Sequence, residues 1–178
     1  AVCARLQGAR LVEVPLCDGE DDFHVDLDQV GRAALERGAK VVFLCSPGNP
    51  AGGVLAADAV LALARRLEGR SLVVVDEAYV EFAGQPSLVP EVGLQSNLAV
   101  LRTLSKAYAL AGARCGTLIA GEEIVDLLRR IIPPYAIPSS TVEEVLRLTE
   151  APQRAISAER IRTVLAERSR MRSRLEAS

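Results

Sequence analysis

The residues best suited to chemistry follow three short apolar runs. Lys106 closes the segment Thr103-Leu-Ser-Lys106, Asp76 opens Asp76-Glu-Ala-Tyr79, and Asn49 lies in the turn Ser46-Pro-Gly-Asn-Pro-Ala-Gly-Gly53. Lys40 and Lys106 are the only lysines among 21 basic residues, so arginine has nearly replaced lysine. A lysine amine can lose its proton and condense with a carbonyl, which a guanidinium cannot do, and this gives a reason for a lysine to be kept at 106. Together with Arg114, these positions offer an amine, a carboxylate, a phenol, an amide, two hydroxyls and a guanidinium. Such a set suits an anionic, aromatic ligand that carries a carbonyl group.

The elements that must bring them together alternate between strand-sized and helix-sized patterns, the mark of strand-helix-strand units around a mostly parallel sheet. Strands are expected at Leu11–Leu16, Lys40–Cys45, Leu72–Asp76, Leu98–Leu104 and Leu118–Ala120. Helices are expected at Asp28–Arg37, Ala56–Glu68, Glu122–Ile131, Thr141–Leu148 and Ser157–Leu175, with the end of another at Ala1–Leu6 and an irregular stretch between Glu77 and Ser96. The class is α/β. In an open sheet of this kind, ligands lie beyond the carboxyl ends of the parallel strands, where Asn49, Asp76, Tyr79 and Lys106 would converge if their strands are neighbours. Too few residues separate Leu104 from Cys115 for a parallel crossover, so the strand after Arg114 should run antiparallel and return Arg114 to the same edge. The Asn49-Pro50 bond, which must turn the amide sharply into the crevice, is expected to be cis.

Pyridoxal phosphate meets each of these demands. Its aldehyde calls for Lys106, and its ring nitrogen stays protonated beside a fixed carboxylate such as Asp76. Asn49 and Tyr79 would donate to the ring 3′-oxygen, while Thr103, Ser105 and Arg114 would hold the phosphate. The segments SPGNPAGG, VVVDEAYVEF, LRTLSKAYALAGARCG and RRIIPPYAIPSS resemble the large domain of the histidinol-phosphate aminotransferases, which are fold-type I enzymes dependent on pyridoxal phosphate. The resemblance covers nearly the whole chain. It implies a three-layer sandwich with a mainly parallel sheet and one antiparallel strand. It also implies Lys106 as the cofactor's lysine, with Asp76 and Tyr79 beside it in the catalytic centre, and Asn49, Thr103, Ser105 and Arg114 as further cofactor ligands, Thr103 the weakest. The implied reaction moves an amino group between L-histidinol phosphate and 2-oxoglutarate, in a homodimer. Ala51 stands where the family often has threonine, at a turn position away from the chemistry.

Residues 1–151 are expected to form an incomplete cofactor-binding domain and 152–178 a helix leading to a second, smaller domain, with the boundary near Pro152. On that expectation the chain alone does not complete turnover. An aromatic amino acid aminotransferase, a threonine-phosphate decarboxylase, or the effector domain of a transcriptional regulator would carry similar motifs. Asp76-Glu77 also has the form of a Walker B pair, but no G-x-x-x-x-G-K-[ST] segment accompanies it. A net charge of −2 and 3% aromatic residues argue against a nucleic-acid partner, and no apolar run approaches membrane-spanning length, so a cytoplasmic chain is expected. Four scattered cysteines and the single histidine, His24, leave no zinc-ligand spacing, and free thiols at least partly buried are expected.

Overall fold

A computed structural model describes residues 2–19 and 23–177; Ala1, the first residue of the expected helix end Ala1–Leu6, residues 20–22 and Ser178 lie outside the described residues. The sheet that matters for the crevice has four strands: β3 (Val41–Cys45), β4 (Leu72–Asp76), β5 (Leu98–Thr103) and β6 (Gly116–Ala120), in that spatial order. Before them come α1 (Val2–Leu6), the two-residue strands β1 (Cys17–Asp18) and β2 (Phe23–His24), and α2 (Leu27–Arg37). After β3 follow α3 (Ala57–Arg66), and beyond β6 the helices α4 (Glu122–Arg129), α5 (Ser139–Thr149) and α6 (Ala151–Glu176). β3, β4 and β5 run parallel and β6 is antiparallel to β5, as the short 104–115 connection requires.

Register puts the apolar residues in rows. Val42, Val73 and Leu98 pair across the sheet, as do Leu44, Val75, Val100 and Ile119. This face packs on α2 and α3 through Ala34, Val60, Leu63, Ala64 and Leu67. Leu67, Leu98, Val60, Val73, Val75 and Val100 are fully enclosed, each contributing about 1.5–3 kcal/mol of burial. α2 begins at Asp26, whose carboxylate accepts from the Gln29 amide at 2.9 Å, and stops at Gly38, whose φ of 63° a residue with a Cβ adopts only under strain. The opposite face of the sheet carries Cys45, Asp76 and Leu101 in register, and its Phe43 is 67% exposed. That face holds the site.

Several sequence expectations shift. Residues 11–16 form no strand: Pro15 lacks an amide proton, Val12 and Leu16 are exposed, and no neighbouring ladder pairs with them. β6 begins at Gly116, earlier than expected, because its pairing with β5 extends to Thr103↔Gly116. α6 begins at Ala151 rather than Ser157, since a proline in the first turn, here Pro152, loses no hydrogen bond. The 77–96 stretch contains two 3-10 turns, Val80–Phe82 and Val89–Gly93. All four thiols are free, but Cys3 and Cys45 are exposed, contrary to the expected burial, because Cys3 lies on the short α1 and Cys45 on the uncovered sheet face.

Candidate active site

Asp76 is the last residue of β4 and shares its face with Cys45 and Leu101. Its Oδ1 accepts from the Ala78 amide at 3.0 Å, which fixes the carboxylate at the strand end. Among the described residues no cation lies within ion-pair distance of it. A half-buried, oriented carboxylate without a cation is what a protonated ring nitrogen would need opposite it. The same charge acts on Cys45: partial burial of the thiol, then the Asp76 carboxylate, push its pKa above the ordinary value of 9.0.

Asn49 comes from the loop after β3. Ser46 Oγ, which accepts from the Leu55 amide at 3.0 Å, anchors one end of that loop. The Gly48 amide donates to the Gly53 carbonyl and the Gly52 amide to the Gly48 carbonyl, both at 2.8 Å. Gly52 has φ of 77°, so the turn needs glycine there. Asn49-Pro50 is cis as expected, and Ser46-Pro47 is cis as well. The Asn49 amide donates to the Tyr79 hydroxyl at 3.1 Å. The phenol proton is thereby free to point at an acceptor in the crevice.

The third contribution is the connection from β5 to β6. Lys106 is exposed, and its Nζ sits 5.4 Å from the centre of the Tyr79 ring. The Ala109 amide donates to the Lys106 carbonyl at 3.1 Å and the Leu110 amide to the Leu104 carbonyl at 3.0 Å, closing the turn on both sides of the lysine. Thr103 Oγ1 accepts from the Ser105 amide at 3.1 Å and lies 3.0 Å from Ser105 Oγ. Its hydroxyl is therefore engaged within the turn. Arg114 has φ of 52° and donates to the Ala111 carbonyl at 3.0 Å, and among the described residues no carboxylate pairs with it. Thr141, in the first turn of α5, donates to the Ala113 carbonyl at 3.0 Å and so supports the turn that carries Arg114.

The structure thus brings Asn49, Asp76, Tyr79, Thr103, Ser105, Lys106 and Arg114 to one edge of one sheet. Sequence reasoning missed Cys45, the cross-strand neighbour of Asp76, and Thr141; strand pairing would have found the first, and nothing in the sequence marks the second. It also read Glu77 only as half of a possible Walker pair, whereas Glu77 is 3% exposed and tied into the protein interior. No cluster able to hold a metal occurs among the described residues, nor any helix long and apolar enough to cross a membrane.

Comparison with known proteins places the fold and the family. The chain is 53% identical over 171 residues to the histidinol-phosphate aminotransferase of Stenotrophomonas maltophilia, a match covering 96% of this chain and 47% of that protein. Its fold matches the crystal structure of histidinol-phosphate aminotransferase from Clostridium acetobutylicum with a TM-score of 0.81 at 23% identity, over 99% of this chain and 52% of the other. A second crystal structure, histidinol-phosphate aminotransferase from Sinorhizobium meliloti in complex with pyridoxal-5′-phosphate, is 36% identical with a TM-score of 0.57, over 66% of this chain and 31% of the other. The chain spans about half the length of the curated relatives it matches. The match to Aminotransferase class I and II extends over residues 1–178, and with the strand-end arrangement just described it makes this chain a member of that family.

Proposed function

We propose that this chain is the cofactor-holding part of a histidinol-phosphate aminotransferase, moving an amino group between L-histidinol phosphate and 2-oxoglutarate in the synthesis of histidine. The reading is carried by one observation: an oriented carboxylate without a cation, Asp76, stands at the strand end next to the turn that presents Lys106 and Arg114. Residues 1–151 are the cofactor-binding domain and 152–178 the helix leading to a smaller one. A homodimer in the cytoplasm is part of the same proposal.

The residues present fit pyridoxal phosphate. Asp76 would face the ring nitrogen, Tyr79 and Asn49 the ring oxygen, Ser105 and Arg114 the phosphate, with Thr103 a weaker partner because its hydroxyl is engaged in the turn. When bound, the cofactor supplies an aldehyde and an electron-withdrawing ring that stabilises negative charge on the carbon bearing the amino group. Asp76 holds a proton on the ring nitrogen by charge pairing. Tyr79 gives Lys106 an aromatic face to rest on, which favours its position above the crevice. Lys106 is the group placed to take a proton from the substrate carbon and return it, the role of a general base. Arg114 and Ser105 fix the anionic end and so restrict rotation of the whole ligand.

The test uses a protein extended to the full length of its relatives. Borohydride should trap pyridoxal phosphate on Lys106, found by peptide mass spectrometry, and Lys106→Ala should abolish both the trapped adduct and turnover of histidinol phosphate. Trapping on Lys40, or normal turnover by Lys106→Ala, overturns the assignment. Turnover of phenylalanine in preference to histidinol phosphate overturns the substrate but leaves the cofactor reading standing.

A further inference from the structure

Behind the crevice lie two carboxylates and a guanidinium that none of the steps above uses. Asp76 and Glu77 are successive residues, so their side chains leave the sheet on opposite sides. Asp76 faces the crevice, and Glu77 enters the interior, where it accepts from the Ser87 hydroxyl and, at 2.7 Å, from the Leu88 amide. Glu81 is the middle residue of the 3-10 turn Val80–Phe82, which starts directly after Tyr79. Arg102 of β5 reaches both carboxylates: Nη2 lies 2.6 Å from Glu81 and Nη1 3.8 Å from Glu77. The Glu81 side chain is 11% exposed and that of Arg102 27%, so water and salt screen this pair less than a surface one.

The side chain that this pair can control is Tyr79. Its phenol oxygen accepts from Asn49, and its ring faces Lys106, so its place in the crevice bears on both. The Tyr79 carbonyl accepts from the Phe82 amide and the Val80 carbonyl from the Ala83 amide, both at 3.0 Å. These are 3-10 bonds, whose geometry is poorer than that of an α-helix, and a turn so short needs support from outside. Before the turn, the Glu77 amide donates to the Leu101 carbonyl at 2.9 Å; at its end, Arg168 of α6 donates to the Phe82 carbonyl at 2.8 Å, in an exposed contact. Between them, the Glu81–Arg102 pair joins the turn to β5, the strand that leads into the Lys106 turn. We propose that Glu81 and Arg102 are positioning residues that pin the 3-10 turn to β5 and so set where the Tyr79 hydroxyl stands in the crevice, at the place where it would meet the ring oxygen of the cofactor. The proposal rests on the cofactor reading above.

The experiment is a double-mutant cycle on the protein extended to the full length of its relatives, with Glu81→Gln made alone and in the Tyr79→Phe background. Glutamine keeps the shape of Glu81 and removes its charge. Amide hydrogen exchange is measured without cofactor, and pyridoxal phosphate affinity by absorbance titration. Losing a hydrogen bond to a charged group should speed exchange at Phe82 and Ala83 about tenfold while leaving the β3 and β4 amides unchanged. Glu81→Gln should weaken cofactor binding about fivefold when Tyr79 is present and less than twofold in the Tyr79→Phe background, which has no hydroxyl to misplace. Equal losses of affinity in the two backgrounds, a loss below twofold with Tyr79 present, or exchange that rises equally across the sheet overturns the positioning role. If Glu81→Gln does not fold, Arg102→Lys takes its place in the same cycle, judged by the same outcomes, because an ammonium lacks the fork that spans both carboxylates. Borohydride trapping of the unaltered protein is the control: if it fails at Lys106 the cofactor reading falls and this proposal with it, and if it succeeds a failed cycle defeats only the positioning role.

Discussion

Replacing Asn97 by alanine should destabilise the fold strongly without touching the crevice. Its amide nitrogen donates to the Ala64 and Ser71 carbonyls, both at 2.9 Å, and its oxygen accepts from the Gln95 amide at 2.7 Å. One side chain thus ties the last turns of α3, the start of β4 and the start of β5. Three hydrogen bonds at a net ~1 kcal/mol each, with the buried Gln95 amide left unpaired, give a loss of about 3–4 kcal/mol. That is a large part of the ~5–15 kcal/mol that holds a domain together. With a urea dependence of about 2 kcal/mol per molar, the unfolding midpoint should fall by roughly 1.5–2 M. Asn97→Asp should be worse still, because it keeps the acceptor but points an anionic oxygen at two carbonyls. Asn97 lies at the far end of β5 from Thr103, about 20 Å along the strand, so the folded variant should bind pyridoxal phosphate within twofold of the unaltered protein. A midpoint shift below about 0.5 M, or an aspartate variant more stable than the alanine one, would refute the reasoning.

Other expectations concern the site. Asp76→Asn removes the charge that raises the Cys45 pKa, so a larger fraction of Cys45 becomes thiolate at a given pH and its alkylation, followed at that peptide by mass spectrometry, should speed up; an unchanged rate would mean that the Asp76 charge does not reach the thiol. The same variant should lose most of its transamination rate while its thermal midpoint stays close to normal. Tyr79→Phe removes both the phenol and the acceptor of Asn49, and should weaken pyridoxal phosphate binding about tenfold by absorbance titration. Ala109 has φ of 56°, at a cost of about 1–2 kcal/mol for a residue with a Cβ, partly offset by the freer unfolded chain of glycine, so Ala109→Gly should raise stability by roughly 0.5–1 kcal/mol in urea titration.

The strand ends were legible because continuous apolar runs, buried on both faces in β4 and in the first half of β5 and on one face in β3, make the polar residue that ends each run visible against them. Leu72–Asp76 was read with its observed limits, and Asp76 with it. The direction of β6 followed from connection length alone. The failure at 11–16 has the opposite cause: alternation of Leu11, Val12, Glu13 and Val14 is a strand pattern, but a strand exists only where a partner offers its main-chain groups. The ion pairs of Arg102 with Glu77 and Glu81 could not be read, since Arg102 is at least 21 residues from either carboxylate and each residue alone resembles an ordinary surface charge. Only the alternation that sends Glu77 away from Asp76 hinted at them.

The antiparallel return of β6 also divides the crevice by the order in which it can be assembled. Ser105, Lys106 and Arg114 come together when the 104–115 loop closes a hairpin, a local event of the microsecond kind. Asp76 and Asn49 reach them only after β3, β4 and β5 have paired in parallel across α3 and the long stretch between Asp76 and Leu98, where more chain must be ordered before any contact rewards it. On the proposed roles, the end that would hold the anion therefore forms in refolding before the end that would receive the ring.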